Sequence, residues 1–319
     1  MHVNGTASAS ILPSPSLTFT NVTVGDTEGA PMMEVKRFAV TIELMPLIQG
    51  QISVISMSLD DPVVRVAVDD AGRVDWTLRG EASRDLDPDN VSLAGVEINN
   101  GTLLYTDASA DAAVTLSGIT ARVEARSLAG PWRIEGSYME DGTPSLFQVS
   151  TGVRAADGSL RVKTDITPGR WPIDIGADGV IMQGEAGLSY AGTYNLTQVI
   201  PAGTDEGPEQ GDATGWRSEG SFALTRDKLV IDKAVLSEGP PDRPSSLAGS
   251  MTLSLGQASR FFATIQARQL DLDRSLGAGP KKPIEMSTAA DEFVRWLRGI
   301  PVPGIAGTVR FNVPAIVVG

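Results

Sequence analysis

The chain has 319 residues, long enough for two ordinary domains or one extended sheet, and its 26 Lys and Arg against 39 Asp and Glu leave a formal net charge of −13. With no run of clustered Lys or Arg, that acidity argues against a nucleic-acid partner and against an anionic membrane surface. Cysteine is absent and histidine occurs once, at His2, which removes disulfides, thiolate metal sites, thiol nucleophiles, Ser-His-Asp catalysis and His-ligated metals.

The N-terminal MHVNGTASAS has neither a charged start nor an apolar core and does not read as a signal peptide. No stretch reaches the roughly 18 apolar residues that span a bilayer. LTFTNVTV, residues 17–24, alternates with period two, and VKRFAVTIELMPLI continues with Phe38, Val40 and Ile42 in phase. The clearest signal is QISVISMSLDDPVVRVAVDDAGRVDW. Ile55, Met57 and Leu59 keep one parity there, and Val64, Val66 and Val68 keep one parity after the Asp60-Asp61-Pro62 break. Period two means extended strands with one apolar and one more polar face; Asp-Asp-Pro and Asp69-Asp70-Ala71-Gly72 are turn chemistry.

Next comes VSLAGVEINNGTLLYTD, where Asn99-Asn100-Gly101 between strand-like flanks predicts a hairpin. Val123 belongs to another alternating run, Ile119, Ala121, Val123 and Ala125. SFALTRDKLVIDKAV, SLAGSMTLSL (with Leu253 followed by Leu255) and RFFATIQARQLDLD carry the same grammar to the far end. Two long polar loops are expected, at 80–90 and 201–215. One amphipathic helix is expected near 288–298, opened by Thr288 and Asp291 at capping-box spacing, presenting Phe293, Trp296 and Leu297, and stopped by Gly299 and Pro301. It reads as a helix packed on its own sheet. The six residues from Trp132, WRIEGS, are echoed 84 residues later (216 − 132) by WRSEGS from Trp216, as two related sheet segments laid end to end would produce.

Groups that could carry chemistry are few. Asp85, Asp87 and Asp89 start like a calcium loop, but Asn90 stands where Gly is needed, Pro88 intrudes, and Val96 replaces the bidentate Glu. Asp271 and Asp273 share one side of a strand, with Arg268 and Arg274 close by, and read as surface charge pairing rather than an acid/base pair. Five Asn-x-Ser/Thr sequons, at Asn4, Asn21, Asn90, Asn100 and Asn195, read as surface turns. The five tryptophans are dispersed and read as core-edge residues. No Gly-rich phosphate loop is present, and no cofactor is called for.

The order of several of these elements resembles the AsmA family of bacterial envelope proteins. The resemblance rests on Leu12-Pro13, the Pro46-Leu47-Ile48-Gln49-Gly50 turn, the Pro62 strand followed by Gly72-x-x-x-Trp76, Asn100-Gly101-Thr102, Leu128-Ala129-Gly130-Pro131 and Leu270-Asp271-Leu272-Asp273. It is continuous over roughly the first half and scattered beyond. It implies a protein anchored in the inner membrane by an N-terminal helix, reaching into the periplasm of a Gram-negative bacterium. Family members are related to TamB and the bridge-like lipid-transfer proteins, whose long β-sheets cradle acyl chains. Their proposed role is moving phospholipid toward the outer membrane, or otherwise maintaining it. The chain lacks that anchor and is short for a full member; both ends read as strands, so a trimmed fragment is expected.

The expected fold is therefore mostly β: a long curved antiparallel sheet forming a groove or open trough with few short helices. Residues 1–200 are expected as an AsmA-like β-groove region, 201–215 as an acidic Gly/Pro-rich loop and 216–319 as a second related β segment with a short helix, together one continuous β-rich unit. Ile55, Met57, Leu59, Val64, Val66, Val68, Val123, Leu253 and Leu255 are the candidate groove-lining residues. The expected function is non-enzymatic shelter of lipid acyl chains, with phospholipid, the inner membrane and other envelope proteins as partners. The alternatives are a structural or protein-interaction module with a closed dry core, or a carbohydrate-active protein. The last needs two carboxylates about 5 to 9.5 Å apart beside exposed Trp.

Overall fold

A computed structural model describes residues 2–11, 14–25, 31–49, 51–68, 91–107, 112–127, 129–184, 187–199, 215–238, 245–256, 259–266, 270–271, 305–312 and 316–317. The described residues are almost all β, and eighteen of the twenty strands among them belong to one mixed, mostly antiparallel sheet. The chain divides into two compact units, Met1–Gly192 and Thr193–Gly319. The helix expected at 288–298 and nearly all of the loop expected at 201–215 lie outside the described residues, as do Asp85, Asp87, Asp89 and Asp273.

In the first unit, β1 (His2–Val3) and β2 (Ala7–Ser10) both pair with β3 (Ser16–Val24), which pairs with β4 (Met33–Ile42). A single helical turn, α1 (Leu44–Ile48), leads to β5 (Ile52–Asp60) and β6 (Val63–Val68). Both pair antiparallel with β4 and parallel with β7 (Val91–Asp107). An antiparallel meander follows: β8 (Ala112–Ala125), β9 (Trp132–Glu140), β10 (Thr143–Thr151), β11 (Leu160–Thr167) and β12 (Ile173–Gly184). The first half of β13 (Gly187–Gln198) lies so close to β12 that a Cβ at Gly192 would strike the Asp178 carbonyl.

The registers correct two expectations of reversal. Asn99-Asn100-Gly101 is not a hairpin, because β7 runs through it without turning. Asp60-Asp61-Pro62 is not a reversal either. Residues of β5 and β6 meet β7 at one constant offset, Asp60 facing Asn99 and Val63 facing Thr102. Each segment holds a left-handed residue inside continuous pairing, and register shifts there only between β7 and β8. Left-handed backbone occurs at Asn21 (φ +51°), Asp61 (+50°), Asn100 (+55°) and Gly118 (+60°), and registers and hydrogen bonds align them across β3, the β5–β6 junction, β7 and β8. A left-handed residue within a strand resets which face the following side chains take. The apolar row Phe19–Phe38–Leu59–Ile98–Ala121 on one side of this crease is thus succeeded by Val22, Val35, Pro62 and Gly101, all buried.

In the second unit, Tyr194 of β13 shares a hydrogen bond of 3.2 Å with Ser218 of β14 (Trp216–Leu224). From there β15 (Lys228–Glu238), β16 (Ser245–Ser254) and β17 (Arg260–Gln266) continue antiparallel. The short β18 (Leu270–Asp271) pairs with β20 (Ile316–Val317) as a separate parallel pair, and β19 (Ala306–Asn312) pairs parallel with β17. The WRxEGS echo has a structural counterpart. Trp132 opens β9 and Trp216 opens β14, each nine residues long. In each, the first amide donates to a neighbouring side chain, Thr151 Oγ1 at 3.1 Å and Gln198 Oε1 at 3.3 Å. The three strands after each follow in matching order, β10 to β12 and β15 to β17.

Candidate functional site: the apolar face

Cross-strand register assembles the period-two patterns into rows. One row of the first unit runs Leu17–Val40–Met57–Val96–Val123–Ile134–Val149–Thr164–Ala177. Its neighbour on the same face runs Ile42–Val54–Leu93–Ala125–Trp132 and on to Thr151 and Val162. Val54, Leu93, Val96 and Ala125 form the buried centre, with Met57, Leu59, Val123 and Trp132 packed against it. Val64 and Val66 face Leu103 and Tyr105 of β7, and Val68 is buried. All ten described hydrophobic residues that are buried, from Val22 to Val162, belong to this unit.

Ile55 is the exception among the candidate lining residues. Thr41 faces Ser56 while Ile42 faces Val54, so Ile55 is the extra residue of a bulge. It is 41% exposed where Val54 is 4%. The row therefore runs 52, 54, 57, 59 rather than on odd positions alone, and Val54 is the lining residue that strict alternation misses. A Val one step out of phase is the only trace of this in the sequence.

In the second unit, Leu253 joins the row Leu224–Leu229–Leu253–Phe261, and the next row is Phe222–Ile231–Met251–Ala263–Val309. Leu255 lies just past β16, exposed, its amide bonded to the Asp227 carbonyl at 2.8 Å. No described hydrophobic side chain of this unit is buried. The side chains of its two apolar rows are half-buried or exposed.

The opposite face of the first unit is a lattice of charge. Across β7 to β11 it forms a trough of about 710 Å³ whose side chains include Glu97, Arg122, Glu135, Leu146, Gln148 and Asp165. Arg122 donates to Glu124 at 3.0 Å and to Glu97 at 3.5 Å; the Glu124 bond, then its charge, pushes the guanidinium pKa up. Arg161 grips Asp178 through two bonds of 3.0 and 2.8 Å, which holds that carboxyl below its ordinary value. Lys163 meets Asp165 at 3.2 Å. Glu97, Glu124, Asp165 and Asp178 are thus paired with cations, and no tryptophan lines the trough. Trp171, expected at a core edge, is exposed. Among the described residues no group of three or more His, Cys, Asp or Glu converges as metal ligands, and no helix is long and apolar enough to cross a membrane.

No family model, curated protein or solved structure matches the chain. The geometry of the two faces therefore carries the functional argument.

Proposed function

We propose that the chain is a segment of an AsmA-like, inner-membrane-anchored periplasmic protein whose β-sheet shelters the acyl chains of phospholipid on their way to the outer membrane. The observation that carries this reading is the second unit's apolar face, with Leu229, Leu253, Phe261, Ile231 and Met251 in register and none of them buried. Each CH₂ of an acyl chain is worth about 0.8 kcal/mol when taken out of water. A sheet that is apolar on one face and charged on the other offers that shelter through period-two alternation alone and requires no catalytic group. An apolar sheet face left in water is an association hazard unless something covers it.

Native mass spectrometry with lipid extraction, on the chain purified from a bacterial periplasm without detergent, tests this reading. Near-stoichiometric phospholipid that disappears in a folded Leu253→Asp variant is the expected result. A stable, lipid-free protein would sink it.

One observation favours a second reading, a non-catalytic structural or protein-interaction module of the envelope. The first unit buries the centre of its apolar face, Val54, Leu93, Val96 and Ala125, as a closed core does. Lipid-free protein in the same experiment supports that alternative.

A further inference from the structure

The crease selects two neighbouring residues of β7 for independent reasons. Position 100 takes left-handed backbone (φ +55°), which Asn tolerates better than most residues that carry a side chain. Position 101 is buried, and a Cβ there would stand 3.1 Å from Ile98 Cγ2, 3.3 Å from Pro62 Cγ and 3.5 Å from Ile119 Cβ. Glycine fits that space without displacing them. The result is an Asn-Gly pair, the dipeptide most prone to cyclise, because no side chain on the glycine hinders its nitrogen from reaching the asparagine carboxamide. Asn100 is exposed to water. Its carboxamide nitrogen donates to one Asp61 oxygen, and Lys36 Nζ stands 3.5 Å from the other. On either side of this point β7 is paired, with β5 and β6 along one edge and β8 along the other.

We propose that Asn100 is a site of spontaneous deamidation, restrained by its hydrogen bond to Asp61 and released when the crease opens. The Gly101 amide nitrogen, after losing its proton to base, attacks the side-chain carbonyl carbon of Asn100. The bond from that carbon to the carboxamide nitrogen breaks, ammonia leaves, and a cyclic imide remains. Water opens the ring at either carbonyl to give aspartate or isoaspartate. One water is consumed and one ammonia released, and nothing is oxidised or reduced. The closed crease opposes the attack twice. Asp61 pins the carboxamide and sets a negative charge beside the oxyanion that attack would create. Pairing on both edges of β7 holds the peptide that must swing toward the side chain. The product, once formed, resists closure. A carboxylate at position 100 faces the Asp61 carboxylate, an arrangement that disfavours ionising both, and the single Lys36 charge does not neutralise two. Isoaspartate also threads one more carbon into the main chain of β7. Deamidation thus turns a transient opening of the crease into a lasting one.

Peptide mass spectrometry on the chain aged at mildly alkaline pH tests the proposal. Asn4-Gly5, in the link between β1 and β2, is an internal comparator: the same dipeptide, with no hydrogen-bond partner for its carboxamide among the described residues. In the folded parent Asn4 is expected to convert first and Asn100 more slowly. An Asp61→Ser variant with an unchanged circular dichroism spectrum should raise the Asn100 rate several-fold and leave the Asn4 rate alone. A second readout needs no variant: unfolding in urea should bring the two rates together. Equal Asn100 rates in the parent and the Asp61 variant overturn the proposal, and so does a ratio of the two sites that is the same folded and unfolded. The Asn100-deamidated fraction, separated by anion exchange, should unfold at lower urea than the unmodified fraction; an unchanged midpoint overturns the lasting opening.

Discussion

Asn100 donates a hydrogen bond from its side-chain amide to the carboxylate of Asp61, 39 residues earlier, and both residues take left-handed backbone. Beside them Asn99 bonds Asp60 at 2.9 Å. Lys36 reaches Asp61 at 3.5 Å and Arg37 reaches Asp60 at 3.9 Å. Two short ladders, cation to carboxylate to amide, thus lie on the outside of the crease where the apolar face resets its phase.

Left-handed backbone at position 100 suits Asn or Gly and opposes a β-branched side chain. Asn100→Val is expected to lower unfolding stability by about 1–3 kcal/mol, and Asn100→Gly by less. Urea unfolding monitored by circular dichroism gives both numbers, and an equal loss in the two variants would contradict the role assigned to φ.

The Asn100 amide, with Lys36 adding to it, holds the Asp61 carboxyl below its ordinary value of 3.8. The unfolded chain therefore takes up this proton first. Stability from the ladder is whole above that ordinary value and is lost as pH falls below it through the lower folded value. The Asp178 carboxyl, lowered by Arg161, follows the same sign. Urea midpoints measured from pH 6 downward should fall below about pH 4 in the parent, and the fall should be shallower in an Asp61→Asn variant.

Neighbouring residues of β5 should respond in opposite ways. Val54→Ser places a hydroxyl and a void in the buried centre and is expected to cost about 2–4 kcal/mol. Ile55→Ser changes only an exposed bulge residue and should stay within about 0.5 kcal/mol of the parent. Thermal melts of the two variants check this, and comparable losses would refute the bulge assignment.

Gly136 sits in β9 with no room beside it, since a Cβ there would collide with the Thr120 carbonyl and with Ala121 of β8. Gly136→Ala should therefore destabilise by roughly 1–3 kcal/mol. Gly184→Ala, whose nearest neighbour would be the Gly187 carbonyl at 3.9 Å, should be close to neutral. The same unfolding assay separates them.

Strand grammar was legible because half-buried sheet imposes a period of two directly on residue type, and the parity of Met57, Leu59, Val64, Val66, Val68 and Val123 carries over into shared rows. What alternation could not supply were the phase resets. A type I′ hairpin requires φ above zero at both central residues, and here Asn100 has it while Gly101 does not. One left-handed residue makes a bulge and two make a turn, a difference that the letters Asn-Asn-Gly do not reveal. Ile55 was misassigned for the same reason, its extra position lying inside an otherwise regular run. Which apolar rows are covered was not legible either: Val54 is buried and Leu253 is not, although each lies between two paired strands.

The crease also constrains how the chain's length can vary. Deleting Asp61 alone would leave the extra residue of β7 without a counterpart, and every pair beyond it would slip by one. Deleting Val63 instead would turn Val64, Val66 and Val68 to the charged side. A length change on one strand is tolerable only when the adjoining strands change with it. Relatives of this chain should therefore gain or lose residues at Asn21, Lys36, Asp61, Asn100 and Gly118 together or not at all.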